Sequence, residues 1–154
     1  MVETLLYPLL WFCALGCALL GGLYFAFSAF VMKALETLGP AGVTTMNAIN
    51  AVILKSWFMP FFLGTTLGCT MLIAAGFLSP EDPRRLFMIC GGILYVAGMF
   101  LVTMFFNVPL NNALASAGSD NWARYIAQWT RWNHVRTFAS MGAAALFIAA
   151  IARS

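Results

Sequence analysis

Four apolar runs, each long enough to cross a lipid bilayer, constrain the fold of this chain more than any other feature. A spanning helix needs about 20 mainly apolar residues. Only 8% of the 154 residues are charged, against about 25% in soluble domains. We therefore predict an all-α membrane four-helix bundle as one domain over residues 1–154, in a multi-pass protein of the bacterial inner (cytoplasmic) membrane. The predicted spans are Leu5–Met32, Trp57–Leu78, Leu86–Asn107 and Val135–Ala152.

The connections between the spans differ in length. Residues 79–83 form a tight polar turn, whereas the other two connections are long and contain signals for helix. Ser119 or Asp120 suits a helix N-cap, and no Gly or Pro interrupts residues 121–136, which predicts a helix that continues into the fourth span. With four spans, both long connections lie on the same side of the membrane, so the polar clusters within them share one face. The distribution of Lys and Arg leaves the orientation open.

Composition excludes several functional classes. The formal charge of +3 is scattered, with no basic run, so we expect no nucleic-acid partner. The spans contain no carboxylate, which removes a carboxylate-bridged di-iron centre and argues against proton-coupled export. A single histidine provides no His-rich metal site. The four cysteines lie inside apolar runs without a Cys-x-x-Cys motif, as expected for small hydrophobic residues.

His134 is the best single candidate for chemistry, because it is the only side chain with an ordinary pKa near neutrality. It follows Asn133 and lies between Arg131 and Arg136 at the start of the fourth span. Nearby cations favour the neutral imidazole, which can accept a proton. The alternative is an interfacial histidine that hydrogen-bonds a neighbouring helix.

Aromatic residues step by three or four along the same predicted helix. This spacing fits an aromatic belt at the membrane interface or a flat wall for a planar ligand. Trp129 and Trp132 flank the His/Arg cluster, so both interpretations stay open. The aligned residues are Trp122, Tyr125, Trp129, Trp132 and Arg136.

Two pairs of asparagines, Asn47 with Asn50 and Asn107 with Asn111, also have helical spacing. Asparagine near a membrane helix end often caps the helix or bonds a neighbouring one. Alternatively, converging amides bind substrate oxygens or stabilise an oxyanion. A further spacing motif, Gly64 with Gly68, predicts a close helix contact, within the chain or in a homo-oligomer.

These polar segments resemble those of the anthrone oxygenase family of small membrane proteins. The resemblance rests on Met-Asn-Ala-Ile-Asn at 46–50, Asn-Val-Pro-Leu-Asn at 107–111 and Trp-Thr-Arg-Trp-Asn-His-Val-Arg-Thr at 129–137. It implies a four-span protein that oxidises anthrones to anthraquinones with dioxygen, with no metal or other cofactor expected. The positions it carries over are Asn47, Asn50, Asn107, Asn111, Trp132, Asn133, His134 and Arg136.

The resemblance also implies a mechanism. An anthrone is a carbon acid whose anion reduces dioxygen directly. His134 would be the base, Arg131 or Arg136 with the asparagines would stabilise the enolate oxygen, and Trp129 with Trp132 would pack on the rings. Three alternatives stay open: a membrane protein that binds or transports small hydrophobic aromatics without chemistry, a haem or metal redox subunit with His134 as a ligand, and a structural subunit.

Overall fold

The computed structural model describes residues 2–153, and the side chains from residue 5 to 153 apart from that of residue 117. All regular elements in this part of the chain are helical, which confirms the predicted all-α fold. The helices are α1 (Val2–Ala26), α2 (Met32–Thr37), α3 (Pro40–Ile53), α4 (Phe58–Leu78), α5 (Arg85–Tyr95), α6 (Val108–Ala117) and α7 (Trp122–Ile151). A short 3₁₀ turn, Gly118–Asn121, leads into α7.

Four continuous helical stretches are long and apolar enough to cross a membrane, so the chain is an integral membrane protein. They cover Leu5–Thr37, Phe58–Leu78, Arg85–Ser116 and Gly118–Ile151. The first helical stretch ends at Thr37, just before Gly39 and Pro40. The third is longer than predicted, because it passes Pro109 without a break. Pro109 lies in the first turn of α6, directly after the π-helical segment Thr103–Asn107.

The helical stretches contain three π-helical segments, Phe27–Val31 after α1, and Val96–Leu101 and Thr103–Asn107 after α5. A π-helical turn shifts the face that the following residues present, and such turns are frequent at functional sites. Here they lie on the two stretches that flank the cavity described below.

The core has two parts. The first is formed within the membrane by α1, α4, α5 and α7, around residues such as Leu10, Leu72, Tyr95 and Phe147. The predicted glycine seam belongs here, since a Cβ on Gly68 would lie 2.7 Å from Cys13 Sγ on α1. The seam therefore packs α4 against α1 within one chain.

The second part of the core is formed by the long connections. Residues from α2, α3, α6 and the start of α7 pack together, including Met32, Val43, Leu114 and Trp122. The two long connections thus lie side by side at one end of the bundle, as the span count predicted.

The turn at the opposite end is fastened by an ion pair. Arg84 Nη2 lies 2.8 Å from Asp82 Oδ2, and both side chains are largely buried. Asp82 Oδ1 also accepts a hydrogen bond from the Arg84 backbone N–H at 2.7 Å. These interactions hold the pKa of Asp82 below its ordinary value.

Candidate functional site

A cavity of about 330 Å³ lies between the membrane core and the connections. Its walls come from α1, α3, α4, α6, α7, the π-helical segment after α1 and the second π-helical segment of the third stretch. The lining includes apolar and aromatic residues, namely Phe27, Met46, Ile49, Phe58 and Phe62. It also includes residues with polar or hydrogen-bonding groups, namely Tyr24, Asn50, Thr103, Asn111, Asn112, Trp129 and Arg136.

Arg136 provides the charge of this cavity. It is only 5% exposed, and its guanidinium carbon lies 4.3 Å from the ring centroid of Tyr24 and 5.0 Å from that of Trp129. Nη2 donates to Asn133 Oδ1 at 2.6 Å, and Nη1 donates to Thr103 Oγ1 at 3.4 Å. Among the described residues no carboxylate pairs with Arg136, and its Nε has no hydrogen-bond partner. A buried charge without a counterion is costly, so this geometry suits the binding of an anion.

Asn133 positions Arg136. Its side chain is fully buried, and besides accepting the Arg136 bond it donates to the Tyr24 carbonyl oxygen and to Ser28 Oγ, both at 2.6 Å. The amide thereby joins α1 to the guanidinium. Asn133 does not line the cavity itself, so the structure supports a positioning role in place of the predicted contact with substrate.

Asn50 and Asn111 both line the cavity. Asn111 Oδ1 accepts a hydrogen bond from the Tyr125 hydroxyl at 2.9 Å, which fixes the amide. Asn50 is placed to hydrogen-bond the same Tyr125 hydroxyl, whereas the buried indole nitrogen of Trp129 has no hydrogen-bond partner among the described residues. Two residues that line the cavity, Trp129 and Arg136, therefore carry buried N–H groups without an acceptor among the described residues.

The other two predicted asparagines lie outside the cavity lining. Asn107 is 1% exposed, and its Nδ2 donates to the Trp129 carbonyl oxygen at 3.3 Å. It therefore ties the third helical stretch to α7. Asn47 is half-buried, and its Oδ1 has no partner among the described residues.

The structure does not bring His134 and Arg131 to this cavity. Both side chains are exposed, and they line a separate surface cleft with Lys33 and Glu36. Successive residues of an α-helix are about 100° apart, so His134 and Arg136, two positions apart, point in nearly opposite directions. The predicted grouping of these three residues around one substrate is therefore not observed.

Trp132 also lies away from the cavity. Its ring stacks on Phe106, with centroids 3.7 Å apart and an interplanar angle of 16°. Trp129, by contrast, lines the cavity. One of the two tryptophans predicted to pack on the substrate rings is therefore at the cavity.

Two further residues of the cavity, Tyr24 and Thr103, lie inside apolar runs and were not predicted. Their signal was the presence of hydroxyl groups in segments predicted to span the membrane, where polar groups need partners. Tyr24 and Thr103 contact Arg136 from the first and third helical stretches.

The described residues that line the cavity offer few chemically reactive groups. Among the described residues that line it there is one formal charge, on Arg136, and neither a carboxylate nor an imidazole. The described residues also contain no group of three His, Cys, Asp or Glu side chains placed to hold a metal ion. The arrangement is suited to an apolar, flat ligand that carries an oxygen with negative charge.

A family model described as anthrone oxygenase matches residues 51–146 of the chain. The match includes α4, the third helical stretch and most of α7, and thus Thr103, Asn111, Trp129 and Arg136. No match was found among curated proteins or among solved structures.

Proposed function

Because the chain belongs to the anthrone oxygenase family, we propose that it oxidises a flat, lipophilic, anthrone-type aromatic with dioxygen. The observation that carries this proposal is the buried Arg136 guanidinium, which lines an aromatic cavity and has no carboxylate partner among the described residues. The cavity volume of about 330 Å³ is at the lower end of the range of about 300–1,000 Å³ found for small-molecule sites, which suits a small fused-ring ligand.

The rings of the substrate would pack against Trp129 and the apolar residues of the lining. Its oxygen would face Arg136, whose buried Nε has no hydrogen-bond partner among the described residues. In this low-dielectric environment a positive charge stabilises an anion more strongly than in water. The protein would therefore favour the enolate form of the substrate over the neutral ketone.

This arrangement assigns the proton transfer differently from the sequence-based hypothesis. No described cavity-lining side chain is a base that titrates near neutrality, and His134 lies on the outer surface. We infer that the C10 proton passes to solvent water at the polar end of the cavity, beside the exposed Asn112. Stabilisation of the anion by Arg136 lowers the cost of that transfer.

The oxidation then balances without a resident cofactor. The enolate transfers one electron to dioxygen, and the resulting radical and superoxide combine to form a C–O bond at C10. The peroxide takes up a proton, and loss of the remaining C10 proton with cleavage of the O–O bond gives the carbonyl and water. Overall, anthrone and dioxygen yield anthraquinone and water.

A direct test measures anthrone oxidation under air by the purified protein in detergent, against the spontaneous reaction. We expect a rate above background, one dioxygen consumed per quinone, and one atom of ¹⁸O₂ in the new carbonyl. A rate equal to the background would contradict the proposal.

A second function, binding or transport of hydrophobic aromatics without chemistry, is favoured by the lack of a base among the described cavity residues. It predicts saturable binding of an anthraquinone without oxygen uptake when anthrone is supplied.

A further inference from the structure

A second apolar space adjoins the cavity on the lipid-facing side of the bundle. It is a groove of about 630 Å³ between α1 and the start of α4, and its described lining side chains are all apolar or aromatic. Leu23 and Phe58 line both the groove and the cavity. These two side chains therefore form the partition between the two spaces.

The groove lies on the same helix pair as the close seam of α1 and α4. The seam is tight at Gly16, where a Cβ would lie 2.6 Å from Thr65 Oγ1. Towards the cavity the facing residues are larger, namely Leu19 and Leu23 on α1 and Phe61 and Phe58 on α4. Small residues permit close approach of helices and large ones prevent it, which accounts for an opening at this end.

The outer edge of the groove faces lipid. Leu19 is 65% exposed and Trp57 is 88% exposed, and both belong to a chain that spans the membrane. A lipophilic aromatic dissolved in the bilayer would therefore meet an apolar, aromatic surface there without crossing water. The inner edge ends at Leu23, the neighbour of Tyr24, whose ring stacks on Arg136.

The partition is built from side chains alone. Phe58 is half-buried and stacks on Phe62, with ring centroids 5.6 Å apart, and Leu23 is also half-buried. Rotation of exposed or partly exposed side chains is fast compared with helix movement. These two side chains can therefore change rotamer without a movement of the helices.

We propose that the groove is a lateral entrance, through which the aromatic substrate passes from the bilayer over Leu23 and Phe58 into the cavity. This inference rests on the substrate class of the proposed function. It predicts that residues of the groove control the rate of entry and exit, whereas residues of the cavity control affinity.

The test uses Leu19→Trp, because Leu19 lines the groove but not the cavity. The full-length protein in lipid nanodiscs is mixed with vesicles that contain 1,8-dihydroxyanthraquinone, and the probe's absorbance change on binding is followed by stopped flow. Leu15→Trp is the matched control, since Leu15 lies one helical turn away, is 63% exposed and lines neither space.

We expect Leu19→Trp to slow both association and dissociation about tenfold, with Kd within about twofold of wild type. Leu19→Ala should accelerate both, and Leu15→Trp should match the wild type. Equal association and dissociation rates of the probe for Leu19→Trp and Leu15→Trp would overturn the proposed entrance. A rise in Kd large enough to explain the slower association would overturn it as well. Absence of probe binding by the wild type would overturn the entrance together with the substrate class. Binding with the expected kinetics but without anthrone oxidation would support the entrance and contradict the proposed oxygenase function.

Discussion

Replacement of Arg136 by methionine is the sharpest test of the proposed chemistry. The substitution removes the only formal charge among the described cavity-lining residues and keeps an unbranched side chain of similar length. Loss of one preorganised donor to an oxyanion typically lowers kcat by about 10²–10³-fold, or about 2.7–4 kcal/mol. We expect an effect in this range, because the Nε donor is buried and free of other partners among the described residues.

The folded state should tolerate this change. The variant loses the charged hydrogen bond to Asn133, worth about 1.5–3 kcal/mol, and two ring contacts of about 0.5–2 kcal/mol each. Removal of a buried charge without a counterion recovers several kcal/mol of desolvation. These effects oppose each other, so we expect a folded protein with a modest change in Tm.

The assay measures oxygen uptake as a function of anthrone concentration and pH, with subtraction of the spontaneous rate. Since the guanidinium favours the anionic substrate, the wild-type rate should rise at lower pH than that of Arg136→Met. The difference in oxidation rate between wild type and Arg136→Met should become smaller at high pH, because the substrate ionises there without help from the guanidinium. Arg131→Met is the matched control, because Arg131 lies on the same helix but is exposed and outside the cavity.

One result would refute the reasoning. If Arg136→Met keeps kcat/KM within about threefold of wild type, the charge contributes less than about 0.7 kcal/mol to the transition state, and anion stabilisation by Arg136 is not the source of catalysis. A large loss of kcat/KM in Arg131→Met would instead indicate that the surface cleft lined by Arg131 takes part in the reaction.

Three further predictions follow from other parts of the structure. His134→Ala should leave the oxidation rate unchanged, since the imidazole is exposed and outside the cavity; a collapse of the rate would restore its assignment as the base. Gly92→Ala should lower the free energy of unfolding by about 1–3 kcal/mol, because its Cβ would lie 2.8 Å from the Cys69 carbonyl oxygen; denaturation in detergent measures this. Asp82→Asn should lower Tm at neutral pH. The Asp82 pKa is depressed by Arg84 in the folded state, so its stabilisation is present above the unfolded pKa of about 3.9 and is lost as pH falls through the folded value.

The predictions for Gly92→Ala and Asp82→Asn each have a control measurement. Gly22→Ala is the control for the glycine substitution, since a Cβ there would meet no atom within 4 Å, and it should not destabilise. For Asp82→Asn, a Tm difference from wild type that persists below both pKa values would contradict the ion-pair explanation.

Part of the candidate site was predictable from the sequence, because its residues recur at helical spacing near the ends of apolar runs. Asn50, Asn111, Trp129 and Arg136 were predicted, and all four line the cavity. Asn133 was also predicted, but its amide holds Arg136 from behind the cavity wall.

The helical phase of the Arg/His cluster was not predictable. Residues 129–136 carry polar or aromatic side chains on all faces of α7, so periodicity does not reveal which of them point inward. Packing of α7 against α1 and the third helical stretch selected Trp129 and Arg136 and left His134 outside.

The sequence by itself determined the membrane location, the four helical stretches and the common side of the two long connections. These follow from run length and from the need of backbone groups for internal hydrogen bonds in lipid, which only helices satisfy in such segments. The tertiary structure alone decided that the described lining residues of the cavity include a guanidinium and no base that titrates near neutrality, and that an apolar groove adjoins the cavity. Both depend on which helix faces meet and on how closely α1 and α4 approach, and these distances arise from contacts between residues far apart in the chain.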